Sequence, residues 1–95
     1  MAGYWVVRGT AIRDQKAFEE YSRCWGPVAE KYGARILAGR TRHETREGEH
    51  RARVLVIEFP TYEQAVACYE DPEYQRSIAH AHRAYDRDLV IVEGS

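Results

Sequence analysis

The chain has 95 residues, 44% hydrophobic and 31% charged, with 14 Lys and Arg against 15 Asp and Glu. That length suits a single domain over residues 1–95 that buries only about 60–65% of its unfolded surface, and the composition is that of a folded chain rather than a disordered one. A net charge of −1 supplies no field to gather nucleic acid or anionic membrane, no stretch approaches the ~20 apolar residues of a membrane span, and no basic, apolar leader precedes the first strand. Neither nucleic acid nor membrane is therefore expected as a partner, and a cytoplasmic location is the default expectation.

In chain order, Tyr4 to Thr10 (YWVVRGT) is aromatic and β-branched and predicts a strand. Asp14 then caps a segment in which Phe18, Tyr21, Trp25, Val28 and Tyr32 recur at helical spacing. Gly33 has the position of a C-terminal cap, and Pro27 falls mid-helix, where proline removes a backbone bond and predicts a kink beside Trp25. Arg35 to Arg46 predicts a second, increasingly charged strand, and EGEH around Gly48 a turn into a third strand over Arg51 to Phe59, the pair forming a hairpin. Thr61 and Gln64 have capping-box spacing ahead of a stripe of Tyr62, Ala65, Val66 and Tyr69. Asp71 and Pro72 restart the helix at a new angle, with Tyr74, Ile78, Ala81 and Tyr85 facing inward. Asp88 to Gly94 (DLVIVEG) is the last strand.

The order β-α-β-β-α-β predicts an α+β, ferredoxin-like fold: a four-stranded antiparallel sheet with its helices on one face. The first and third strands are expected in the middle, the fourth beside the first and the second beside the third. Alternation puts Trp5, Val7, Leu55, Ile57, Phe59, Leu89 and Ile91 on one face and Tyr4, Val6, Val54, Val56, Val90 and Val92 on the other. Helices can cover only one face, so the valine face predicts a homodimer packed sheet to sheet. Glu58 falls on that face. With the central strands taken as parallel, Arg8 lies close to it and Asp88 approaches from the fourth strand. Two roles are open to Glu58: an ion pair with Arg8 that fixes register, or a carboxylate in a pocket at the barrel's end.

The segments GYWVVRGTAIRD, KYGARILAGR, VLVIEFPTYEQAVACYEDPEYQ and DLVIVEG together resemble domain-of-unknown-function family 1330 across essentially the whole chain. The resemblance implies a dimeric α/β barrel, in a superfamily that also holds cofactor-independent monooxygenases, muconolactone isomerases and haem-dependent enzymes. It carries over no catalytic residue, and a fold shared by several chemistries does not choose among them.

Chemistry-bearing patterns are sparse. His80 and His82 on a helix stand about 200° apart and do not chelate one metal; His82, beside the Ile78 and Tyr85 stripe, is expected to be partly buried, with His80 on the wetter side. His43 and His50 flank the turn without zinc-site spacing, and no metal site is expected. Arg35, Arg40, Arg42, Arg46, Arg51 and Arg53 interleave with Glu44, Glu47 and Glu49, which reads as a cross-strand charge ladder rather than a phosphate or RNA surface. The sequence contains no dinucleotide, P-loop, nucleophile-elbow or HExxH motif, so no cofactor is expected. Cys24 and Cys68 lack CxxC spacing and read as buried free thiols.

The functional reading is a small homodimer that binds a small organic molecule in a barrel pocket lined by Trp25, Tyr21 and Arg40. A cofactor-independent monooxygenase or isomerase, moving protons on His82 or Glu58 and holding an oxyanion on Arg8 or Arg40, is an alternative. A non-catalytic dimerisation or ligand-sensing module is the other; a closed, fully packed interior would favour it.

Overall fold

The computed structural model describes residues 1–95. Its elements are β1 (Gly3–Gly9), α1 (Gln15–Lys31), β2 (Arg35–Ala38), β3 (Arg53–Phe59), α2 (Tyr62–Glu70), α3 (Pro72–Ala84) and β4 (Arg87–Glu93). One sheet takes the order β2-β3-β1-β4 with every pair antiparallel. This is the expected α+β, ferredoxin-like arrangement, with β1 and β3 central.

The helices begin and end where the sequence signals them. Asp14 accepts a hydrogen bond from the Ala17 amide at 3.0 Å and so caps α1. The helix continues through Pro27 to Lys31, and Gly33, at φ +70°, closes it. The Gly33 amide donates to the Glu30 carbonyl and the Ala34 amide to the Ala29 carbonyl, the paired bonds of a Schellman cap. Thr61 caps α2 by accepting from the Gln64 amide at 3.1 Å. Asp71 both ends α2 and caps α3, accepting from the Glu73 amide at 2.8 Å, with Pro72 opening the new helix.

The core lies between the sheet and the helices. Trp5, Val7, Ile57 and Phe59 are buried on the inner face and meet Tyr21 and Val28 of α1, Ala65 and Cys68 of α2, and Tyr74 and Ala81 of α3. Trp5 is its hub: its ring centroid lies 5.1–5.9 Å from those of Trp25, Phe59, Tyr69 and Tyr74, and its indole N–H donates to the Ala65 carbonyl at 2.9 Å. Tilted and edge-on aromatic contacts of this kind contribute about 0.5–1.5 kcal/mol each beyond area burial. Nearer the sheet's end, the Tyr85 ring lies directly on Gly9, where a Cβ would come within 2.5 Å of a ring carbon.

Three expectations are corrected. The central strands are antiparallel, because the α1 crossover returns β2 parallel to β1 and the chain then reverses into β3. Arg8 therefore faces Val54, and Glu58 faces Tyr4, so no Arg8–Glu58 pair forms. Asp88 does sit opposite Arg8 across β4. The second and third strands pair antiparallel as expected, but the second ends at Ala38 rather than Arg46 and the third begins at Arg53, so residues 39–52 join them as a long irregular loop instead of a tight turn around Gly48. Charges on both sides of that segment give it no apolar face to lay on the core, so the expected ladder is replaced by local pairs such as Arg46–Glu44 at 2.8 Å. Of the two thiols, Cys68 is fully buried and Cys24 only half-buried.

Candidate functional site

A cleft of about 240 Å³ opens between α1 and the β2–β3 side of the sheet, lined by Phe18, Ser22, Trp25, Ile36, Gly39, Arg40, Arg53 and Leu55. Its walls follow from two periodicities. Phe18, Ser22 and Trp25 stand at i, i+4 and i+7 on one side of α1, and Arg53 and Leu55 alternate onto the inner face of β3. Ile36 and the turn at Gly39 and Arg40 close the third side, and Gly39 is tight against Leu55, where a Cβ would come within 3.3 Å of its side chain. The volume is below the roughly 300–1,000 Å³ of pockets for drug-sized ligands and matches a single-ring molecule.

Arg53 dominates the electrostatics. Its guanidinium carbon lies 4.9 Å from the Phe18 ring centroid and 5.4 Å from that of Tyr85, a cation held against two ring faces. No carboxylate forms an ion pair with it, and its buried Nε has no hydrogen-bond partner. Leaving a buried donor unmet costs roughly 1–3 kcal/mol. Arg40 holds the other strained feature: at φ +58° it is the only non-glycine residue with positive φ, a conformation that costs an L-residue about 1–2 kcal/mol. Arg40 and Arg53 also line a smaller recess of about 110 Å³ with Thr41, His43, Ala52, Val54 and Leu55, so the two arginines stand between the recesses. There His43 lies with Nε2 3.0 Å from the Arg51 carbonyl.

The structure sorts the candidates sharply. Trp25 and Arg40 line the cleft. Tyr21 does not; it is buried in the core, its hydroxyl 2.8 Å from that of Tyr74, with Arg87 donating to both at 3.2 and 2.9 Å. Burial raises both phenols above their ordinary value, so they stay neutral. His82 is exposed, not partly buried: it lies outside the Tyr74, Ile78, Ala81 and Tyr85 stripe, and its backbone carbonyl accepts from Arg13. The half-buried histidine of α3 is His80, with Nδ1 3.0 Å from the Glu20 carboxylate. Glu58 lies on the outer face, accepting from Arg35 at 2.9 Å and from the Tyr4 hydroxyl at 3.3 Å. Arg8 donates to the Glu49 carbonyl. Thus His82, Glu58 and Arg8 neither meet one another nor line the cleft.

No motif in the sequence marks Arg53 and Phe18 as a pair. One signal is present: Arg53 has the same strand phase as Leu55, Ile57 and Phe59, which puts a cation on the inner face.

The match described as "Domain of unknown function (DUF1330)" spans residues 2–95. The chain belongs to the DUF1330 family. No curated protein matches it. Among solved structures, this DUF1330 chain is similar to a protein of unknown function from Rhodopseudomonas palustris, at 21% identity and a TM-score of 0.75, over 99% of this chain and 83% of that one. It is similar also to a protein from Bacteroides fragilis described as dimeric, of unknown function and ferredoxin-like fold, at 15% identity and a TM-score of 0.57, over 98% and 96% of the two chains. A third likeness is to SnoaB, a cofactor-independent oxygenase from Streptomyces nogalater, at 10% identity and a TM-score of 0.58, over 99% and 93%. At these identities the likenesses establish the fold.

Proposed function

We propose that this DUF1330 protein is a homodimer that binds a small organic molecule in the cleft of each subunit. The observation that carries the binding reading is the cleft itself, with Phe18, Trp25, Ile36 and Leu55 as apolar walls and Arg40 and Arg53 among its polar groups, the composition of a ligand site rather than of a closed core. The dimer is supported by the outer face of the sheet. Val90 and Val92 are 59% and 46% exposed there, no helix covers Val6, Val54 or Val56 on the same face, and contiguous apolar surface of this kind marks an interaction site. The description of the Bacteroides fragilis protein as dimeric points the same way.

An oxygenase or isomerase acting in this cleft would need a group to move protons. Its lining includes no histidine and no carboxylate, and Glu58 and His82 stand elsewhere, so binding is the reading that the geometry favours. Two measurements test it. Light scattering should give about twice the 11.0 kDa chain mass, and Val90→Lys with Val92→Lys should halve it; a parent chain that is monomeric at high concentration overturns the dimer. Amide chemical-shift mapping with a library of single-ring fragments should move resonances near residues 18–25, 36–40 and 53–55. A library that moves none of them overturns the cleft as a binding site.

A further inference from the structure

We infer that the cleft selects an anion: its ligand is a single-ring organic acid whose carboxylate is received by Arg53, with Arg40 as the second cation. The inference rests on the cleft being a ligand site and names the class of ligand. A guanidinium carries five donors and no acceptor, and arginines on a buried face ordinarily stand opposite a carboxylate or backbone carbonyls. Arg53 has neither. Phe18 and Tyr85 offer it ring faces, which steady a cation but accept no conventional hydrogen bond, and its Nε remains unmet. Several neighbouring cations are engaged within the chain, whereas Arg42 of the loop forms no ion pair. Arg35 pairs with Glu58, Arg51 approaches Glu49 and Asp88, and Arg87 donates to two tyrosine hydroxyls. Arg40, which shares both recesses with Arg53, forms no ion pair either; of the loop carboxylates, Glu44 and Glu49 are engaged with Arg46 and Arg51, and Glu47 pairs with neither Arg40 nor Arg53. Two guanidinium groups without a carboxylate partner thus stand where a cleft with apolar walls, sized for one ring, opens beside them. A carboxylate meets that charge, while its ring lies against Phe18, Trp25 and Leu55.

The test is a shift-mapping titration of the parent protein with benzoate and, separately, with benzamide, which share a ring and differ in charge. Benzoate should bind at least tenfold more tightly, the loss expected when a charge-assisted hydrogen bond is replaced by a neutral one, and added sodium chloride should weaken benzoate while leaving benzamide unchanged. Arg53→Gln should bring the two affinities within about twofold by weakening benzoate alone, and Arg53→Lys should restore part of the preference. The parent comparison needs no variant to fold. Equal affinities for acid and amide would overturn the anion inference and leave the cleft a ligand site. Failure of both probes to move any cleft resonance would overturn the cleft reading and the inference with it.

Discussion

Replacing Tyr74 with phenylalanine removes one buried oxygen and nothing else. That oxygen shares a hydrogen bond of 2.8 Å with the Tyr21 hydroxyl and accepts from Arg87 Nη2 at 2.9 Å, and Tyr74 is fully buried, so water has no room to stand in. A net hydrogen bond between neutral groups contributes about 0.5–1.5 kcal/mol and one to a charged group about 1.5–3 kcal/mol. Losing both should therefore destabilise the protein by about 2–4 kcal/mol, and in a domain of this size lower Tm by about 10–25 °C. Tyr21→Phe loses the same mutual bond but only the longer, 3.2 Å contact to Arg87, so its cost should be smaller. The double variant should cost less than the sum of the singles, because the two share one bond. Urea melts followed by far-ultraviolet circular dichroism, at one protein concentration throughout, measure all three. A Tyr74→Phe variant within 0.5 kcal/mol of the parent (about the scatter of a neutral surface change), or strictly additive singles, would refute the idea that this triad holds α1, α3 and β4 together.

Asp71 carries the acid limb of stability. The Tyr32 hydroxyl, the Lys31 ammonium and the Glu73 amide hold its carboxyl down to about 2, below its unfolded value, so its contribution is complete above about pH 4 and is lost as pH falls through about 2. Asp71→Asn should flatten the stability profile across that window in acid melts and leave the slope near neutrality unchanged. Cys68, whose thiol burial pushes up to about 12, should resist a thiol reagent in the native protein and react only on unfolding, whereas half-buried Cys24 should label first; mass spectrometry of the modified peptides distinguishes them. Glu58→Gln should change stability by less than about 1 kcal/mol, since the carboxylate is 28% exposed and its partner Arg35 71% exposed. Arg8→Met should show no coupling to it in a double-mutant cycle.

Much of this architecture could be read in the residues because local chemistry and tertiary demand agree there. Trp5 and Val7 alternate into the core as β periodicity requires, Asp14, Thr61 and Asp71 cap the helices they precede, and Gly33 takes the left-handed conformation that ends α1. The failures occur where one residue's environment depends on a strand it meets only in space. Residue type and face are legible in a strand but direction is not, so the expected Glu58–Arg8 pair fails: reversing β3 moves the partner of Glu58 to the far end of β1. His82 lies one position from a buried residue, Ala81, and the 100° turn per residue is enough to put it in water. Of the ligand-binding candidates Trp25, Tyr21 and Arg40, the first and last line the cleft and Tyr21 turns into the core, a difference of helix face that its place on the apolar stripe does not reveal. Arg53 was hidden among the charges of its neighbours, and only its strand phase distinguished it.

The contact between Gly9 and Tyr85 bears on how this family can vary. The ring rests on bare backbone, with the Asp86 carbonyl also within 2.9 Å of where a Cβ would stand, and the same ring is one of the two that hold Arg53. Positions 9, 85 and 53 are therefore free to change only together: a methyl group at 9 would lift the ring, and a smaller residue at 85 would make room for it but leave the guanidinium with one wall. Relatives that keep an arginine in the strand phase of 53 should retain glycine opposite it on the central strand, and those that have lost the arginine should be the ones in which that glycine drifts.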